Sequence, residues 1–99
     1  MAMTPEKKVK QRVVEQLKAL PDLYYFFPAT GGYGKSGVPD IVGCYKGKFF
    51  SIECKAGNNK PTALQQRELD AIANAGGKAW IVNEANATTV TLALTLMIN

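Results

Sequence analysis

The sequence predicts an α/β fold: a mixed central β-sheet flanked by helices, in the order α-β-β-β-α-β. Three observations lead there. The first twenty residues carry a helical apolar period; two β-prone runs meet at a Lys46-Gly47 turn; and a capped helical segment separates these runs from another β-prone run at Lys78 to Asn83. The 99 residues suit a single domain, 1–99, with no internal repeat and no linker-like stretch to divide it.

The first helix is expected over Thr4 to Leu20. Thr4 is a good N-cap, Pro5 suits the first helical position, and Pro21 stops the run. At roughly 100° per residue, Val9, Val13, Leu17 and Leu20 form one stripe. Glu6 falls within that stripe and is expected to face the core or a cleft. Glu15 falls on the opposite side, near Lys8 and Arg12, and is expected to face water.

Leu23 to Phe27 is an aromatic, β-prone run. Its tyrosines and phenylalanines, with Trp80, read as core side chains rather than base-stacking surfaces. Thr30 to Gly37 is a glycine-rich loop that lacks the spacing of a phosphate-binding P-loop. Strands follow at Asp40 to Tyr45 and Phe49 to Lys55. Ala56 to Lys60 is a polar loop, and a second helix runs from Thr62 to Ala75, ended by Gly76-Gly77. The tail from Thr88 to Ile98 is open. Val90, Leu92, Leu94 and Leu96 alternate like a strand, whereas Val90, Leu94 and Met97 share a helical face.

A two-residue turn at Lys46-Gly47 sets the hairpin register: Tyr45 faces Lys48, and Asp40 faces Glu53. Directly opposed side chains share one face, so the two carboxylates are expected to be neighbours. Strand alternation adds Lys55 to that face and sends Cys54 to the other. The same register sets Cys44 against Phe49, away from Cys54, which argues against a disulfide. Two free thiols suit a reducing, cytoplasmic setting. Two cysteines and no histidine do not make a zinc site. The N-terminal residues do not read as a secretory leader, and no apolar stretch is long enough to cross a bilayer, so no membrane partner is expected.

Opposed carboxylates repel unless one is protonated or a cation sits between them. Oxygen ligands of this kind suit Mg2+ or Mn2+, which can activate water and stabilise charge on a phosphate. Lys55 stands beside the pair, able to orient the water or neutralise developing charge. The net charge of +4 favours a polyanionic partner. Lys7, Lys8, Lys10, Arg12 and Lys18 read first as a solvated helix face, with a nucleic-acid track as the alternative.

Gly37-Val38-Pro39-Asp40, followed by Glu53-Cys54-Lys55, resembles the PD-(D/E)xK nuclease signature. With Glu6 opening the first helix and Gln65 early in the second, the chain resembles the VRR-NUC branch, the virus-type replication-repair nucleases. The likeness spans Thr4 to Asn83 and is nearest the stand-alone, phage-type, Holliday junction resolvase-like members. It implies a restriction-endonuclease-like core and favours a helix for the tail. It also implies a metal-dependent endodeoxyribonuclease in which Asp40, Glu53 and the Cys54 backbone carbonyl bind Mg2+ or Mn2+. Lys55 is then the catalytic lysine, Glu6 a water-mediated metal contact, and Gln65 a support for the lysine or the water. Thr62 to Gln65 is equally a helix-capping box, and Glu6 equally complements a helix dipole. Lys35, Ser36 and Lys60 are the expected DNA-phosphate contacts.

The resemblance suggests branched DNA, such as four-way junctions. A two-fold homodimer would present one site per strand to such a substrate. No small-molecule cofactor is expected. The alternatives are a general or flap-specific DNA nuclease, or a nucleic-acid-binding module without catalysis.

Overall fold

A computed structural model describes residues 3–29 and 34–98. The elements are α1 (Pro5–Ala19), β1 (Leu23–Phe26), β2 (Ile41–Tyr45), β3 (Lys48–Cys54), α2 (Ala63–Asn74), β4 (Lys78–Val82), a 3₁₀ turn (Ala87–Thr89) and α3 (Val90–Met97). The strands form one sheet in the order β1-β2-β3-β4. β1 and β3 each pair antiparallel with the β2 strand between them, and β3 pairs parallel with β4 across the α2 crossover.

Local chemistry accounts for the element ends. Thr4 Oγ1 accepts from the Lys7 N–H at 3.2 Å, and Pro5 opens α1 without wasting a donor. Lys46 and Gly47 both take positive φ, 51° and 85°, the signature of a primed hairpin turn whose twist matches its strands. Tyr45 therefore faces Lys48 and Cys44 faces Phe49, as the sequence register requires.

Strand alternation sorts the buried residues between the two faces of the sheet, and Phe50 to Cys54 of β3 are buried on both. Ile41, Tyr45, Phe50, Ile52, Cys54 and Val82 form one core with Val9, Val13 and Leu17 of α1 and Val90 and Leu94 of α3. The opposite face of the sheet is covered by α2 over β3 and β4.

One open reading is settled and two expectations change. The tail is helical, as the family resemblance favours: Val90 and Leu94, four residues apart, are buried against α1, while Leu92 and Leu96 are exposed. Gln16 of α1 fastens this segment, donating to the Ala87 carbonyl and accepting from the Thr91 N–H at 3.4 Å. The strand-like alternation of leucines thus reflects a helix with one apolar face buried and another uncovered.

The aromatic run divides. Tyr25 and Trp80 pack on the core, but Tyr24, Phe26 and Phe27 are exposed, because β1 is an edge strand covered on one face only. The paired part of β2 begins at Ile41, so Asp40 sits in the bend before it. Of the glycine-rich loop, Thr30 to Tyr33 lie outside the described residues.

Candidate active site

The site forms where the β2–β3 ladder ends. Pairing stops at Ile41 and Ile52, one step before Asp40 and Glu53. The Asp40 side chain takes over the next position in place of backbone, its Oδ2 accepting from the Cys54 N–H at 2.8 Å. This fixes the carboxylate beside the end of β3.

The approach to Asp40 is shaped by Gly37, whose φ of +80° suits glycine. A Cβ there would lie 2.6 Å from the Leu64 carbonyl carbon and oxygen and 2.9 Å from the Gln65 nitrogen. The loop before Asp40 is therefore packed directly on the first turn of α2, a contact available to glycine alone.

Glu53 is 2% exposed, and its Oε1 is buried with no hydrogen-bond partner among the described residues. Its Oε2 lies 3.5 Å from Lys55 Nζ. Burial, then the Asp40 charge, push the Glu53 carboxyl up from 4.5 to about 7, against the pull of Lys55. A buried oxygen without a partner is costly. A cation between the two carboxylates would satisfy Oε1 and remove the repulsion.

Lys55 is 12% exposed on its side chain and is held from two directions: by Glu53, and by Glu6 Oε1 at 3.7 Å. Its backbone N–H donates to the Val82 carbonyl at 2.9 Å, so β4 fixes its position along the strand. The following loop is tied to the β4 end as well, with the Gly57 N–H donating to Glu84 Oε1 at 2.8 Å.

Glu6 does reach the site, but not as a buried member of the α1 stripe: its side chain is half exposed and meets Lys55. Among the described residues no three His, Cys, Asp or Glu side chains gather into one ligand cluster. The two carboxylates at the site, Asp40 and Glu53, are oxygen donors of the kind that suits a hard divalent cation. The Cys54 thiol itself is in the core. Burial, followed by the nearby Asp40 and Glu53 charges, pushes it up to about 12, so it is inert.

Gln65 does not join the lysine. Its Oε1 accepts from the Thr62 N–H at 2.9 Å while its own N–H donates to Thr62 Oγ1 at 3.2 Å, a complete capping box. No hydrogen bond links it to Lys55 among the described residues. Gln65→Ala is accordingly expected to lower stability by about 1 kcal/mol while leaving turnover within about threefold of wild type, a change below 1 kcal/mol in barrier. Chemical denaturation and single-turnover cleavage check the two halves.

Lys35 forms an ion pair with Glu68 of α2 at 3.6 Å, a partner that no sequence spacing announces. Ser36 and Lys60 are exposed. A cleft of about 210 Å³ beside α1 is lined by Pro5, Lys8, Val9, Arg12, Glu84 and Ala87, not by the carboxylates.

Comparison with known proteins places the chain in a family. The family model described as archaeal Holliday junction resolvase (Hjc) matches residues 26–96. The chain is 33% identical over 69 residues to "Putative nuclease p44" of Acyrthosiphon pisum secondary endosymbiont phage 1, covering 69% of this chain and 71% of that protein. Two solved structures share the fold. A VRR_NUC domain is 22% identical over 97% of this chain and 96% of its own, with a TM-score of 0.66. A VRR_NUC domain protein is 20% identical over 99% and 91%, with a TM-score of 0.69.

Proposed function

The chain belongs to the archaeal Holliday junction resolvase (Hjc) family, and on that premise we propose that it is a divalent-metal-dependent DNA endonuclease acting on branched DNA such as four-way junctions. The observation that carries the metal reading is the buried, unpartnered Glu53 Oε1 beside Asp40. Mg2+ or Mn2+ held there would supply Lewis acidity toward the scissile phosphate and a more acidic water.

The chain's own residues do the rest. Asp40, fixed by the Cys54 N–H, and Glu53, fixed by burial, hold their oxygens in place before substrate arrives. The Cys54 carbonyl would be the third protein ligand of such an ion, and Glu6 would contribute through Lys55 or through water. The Lys55 ammonium, braced by two carboxylates, donates to the attacking water or to a phosphate oxygen as negative charge grows. Lys35, Ser36 and Lys60 are proposed phosphate contacts, sequence-independent in character. The free thiols Cys44 and Cys54 suit the cytoplasmic setting proposed for the chain.

A homodimer would match a two-fold substrate, and α3 supplies a surface for it. No charged residue follows Glu84 in the sequence, and Leu92 and Leu96 stand exposed on α3. Two copies of a chain with net charge +4 can meet on this face without opposing lysines. Leu92→Glu combined with Leu96→Glu should turn a dimer into a monomer in sedimentation, while the fold, judged by circular dichroism, persists. A wild type that sediments as a monomer at assay concentration yet nicks junctions in symmetric pairs would defeat the dimer.

The deciding experiment is a substrate panel. Four-way, flap and linear DNA are incubated with Mg2+, with Mn2+ and with chelator. Metal-dependent cleavage favouring the four-way form supports the proposal. Equal cleavage of all forms supports a general nuclease, and no cleavage of any form leaves a binding module.

A further inference from the structure

Sheet alternation puts an uncovered aromatic pair on the face that carries Glu53. In β1 the exposed positions are Tyr24 and Phe26, at 67% and 48%, with ring centroids 6.2 Å apart. Phe26 pairs with Val42, which pairs with Ser51; two residues further along the chain from these lie Asp40 and Glu53. Phe26 therefore stands roughly 7 Å along the strand direction from the carboxylates, and Tyr24 roughly 14 Å. Tyr24 continues across Cys44 to Phe49, which is also exposed.

Two features fit this strip to nucleic acid. It is on an edge strand, open from the side, and the main α2 contacts fall on β3 and β4. Its long axis leads into the carboxylate site of a nuclease, where the backbone of a DNA substrate has to lie, and exposed aromatic faces beside such a backbone suit unpaired bases.

We propose that Tyr24 and Phe26 form a base-stacking platform that holds unpaired nucleotides beside the scissile phosphate. Bases within an intact duplex are stacked on one another and offer no free face, so the platform selects DNA with unstacked bases next to the cleavage point. The inference rests on the nuclease reading for its place in catalysis, but the platform itself is a binding site that can be read without cleavage.

The test uses the full chain and DNA carrying 2-aminopurine at an unpaired position, with a fully paired duplex of the same sequence as reference. Wild type should quench the unpaired 2-aminopurine, and the double variant Tyr24→Ala/Phe26→Ala should not. The exchange variant Tyr24→Phe/Phe26→Tyr, which keeps both rings, should restore quenching. The alanine pair should bind the unpaired substrate about 10- to 100-fold more weakly, in line with the loss of one or two base stacks, and bind the duplex within about threefold of wild type.

Equal losses on both substrates, or undiminished quenching in the alanine pair, would overturn the platform. A change of sedimentation from dimer to monomer in the alanine pair would overturn it too, by assigning the strip to a second copy. If wild type cleaves nothing but quenching follows the rings, the platform stands and the nuclease reading fails. If cleavage is intact and quenching ignores the rings, the reverse holds.

Discussion

Glu53→Gln is expected to abolish cleavage and, in the same molecule, to stabilise the metal-free protein at neutral and alkaline pH. The two effects share one cause. The folded chain holds the Glu53 carboxyl at about 7, while the ordinary value is 4.5. That gap is worth about 3 kcal/mol. Because the folded value is raised, the folded state binds the proton more tightly than the unfolded chain does. The stabilisation is complete below pH 4.5 and is lost as pH rises through about 7. Glutamine is neutral throughout, so the variant's stability should stay flat across this window. It should exceed wild type above pH 7 by about 1–3 kcal/mol, part of the gain being offset by burying an amide.

Adding Mg2+ or Mn2+ should reverse the order, because only wild type has an anion there to bind it and a ligand of the folded state stabilises it. Denaturant titrations at pH 5, 7 and 8.5, with and without metal, read all of this. Wild-type cleavage should likewise rise through this pH range, with its midpoint moving down as the metal concentration rises.

Lys55→Ala has the second large effect expected. Lys55 is the one cation lying within 4 Å of Glu53 among the described residues, and Glu6 braces it from α1. Its removal should lower the single-turnover rate by about 10²- to 10³-fold, the loss seen when one aimed donor to a developing oxyanion is deleted. DNA affinity at moderate salt should change little, since phosphate attraction is spread over many of the 12 lysines and arginines. A variant that binds DNA weakly but cleaves bound DNA at the wild-type rate would move Lys55 from the chemistry to the docking surface.

The hairpin was the most legible part of the chain. Its register follows from two residues, Lys46 and Gly47, whose positive φ leaves few alternatives, and strand alternation then sorts Glu53 and Lys55 from Cys54. The helix caps at Thr4 and Thr62 were equally local and equally readable. What depended on tertiary placement was not. The helical period put Glu6 in the α1 stripe, but only the position of α1 against the end of β3 decides that it meets Lys55 at half exposure. Tyr24 and Phe26 look like core by composition, and only the edge position of β1 shows them to be surface. The close seating of Gly37 on Leu64 and Gln65 joins residues far apart in sequence, which no local pattern encodes. In the tail, a period of two and a period near four coincide at Val90 and Leu94, and packing against α1 chose the helix.

Asp40 and Glu53 together are proposed to form a divalent-cation site that drives DNA cleavage. Mn2+ titration followed by the electron paramagnetic resonance signal of the free ion tests it most directly, on wild type, Asp40→Asn and Glu53→Gln at pH 8. Wild type should remove Mn2+ from solution in proportion to protein, and both variants should bind far more weakly. Equal Mn2+ uptake by all three proteins would contradict the claim.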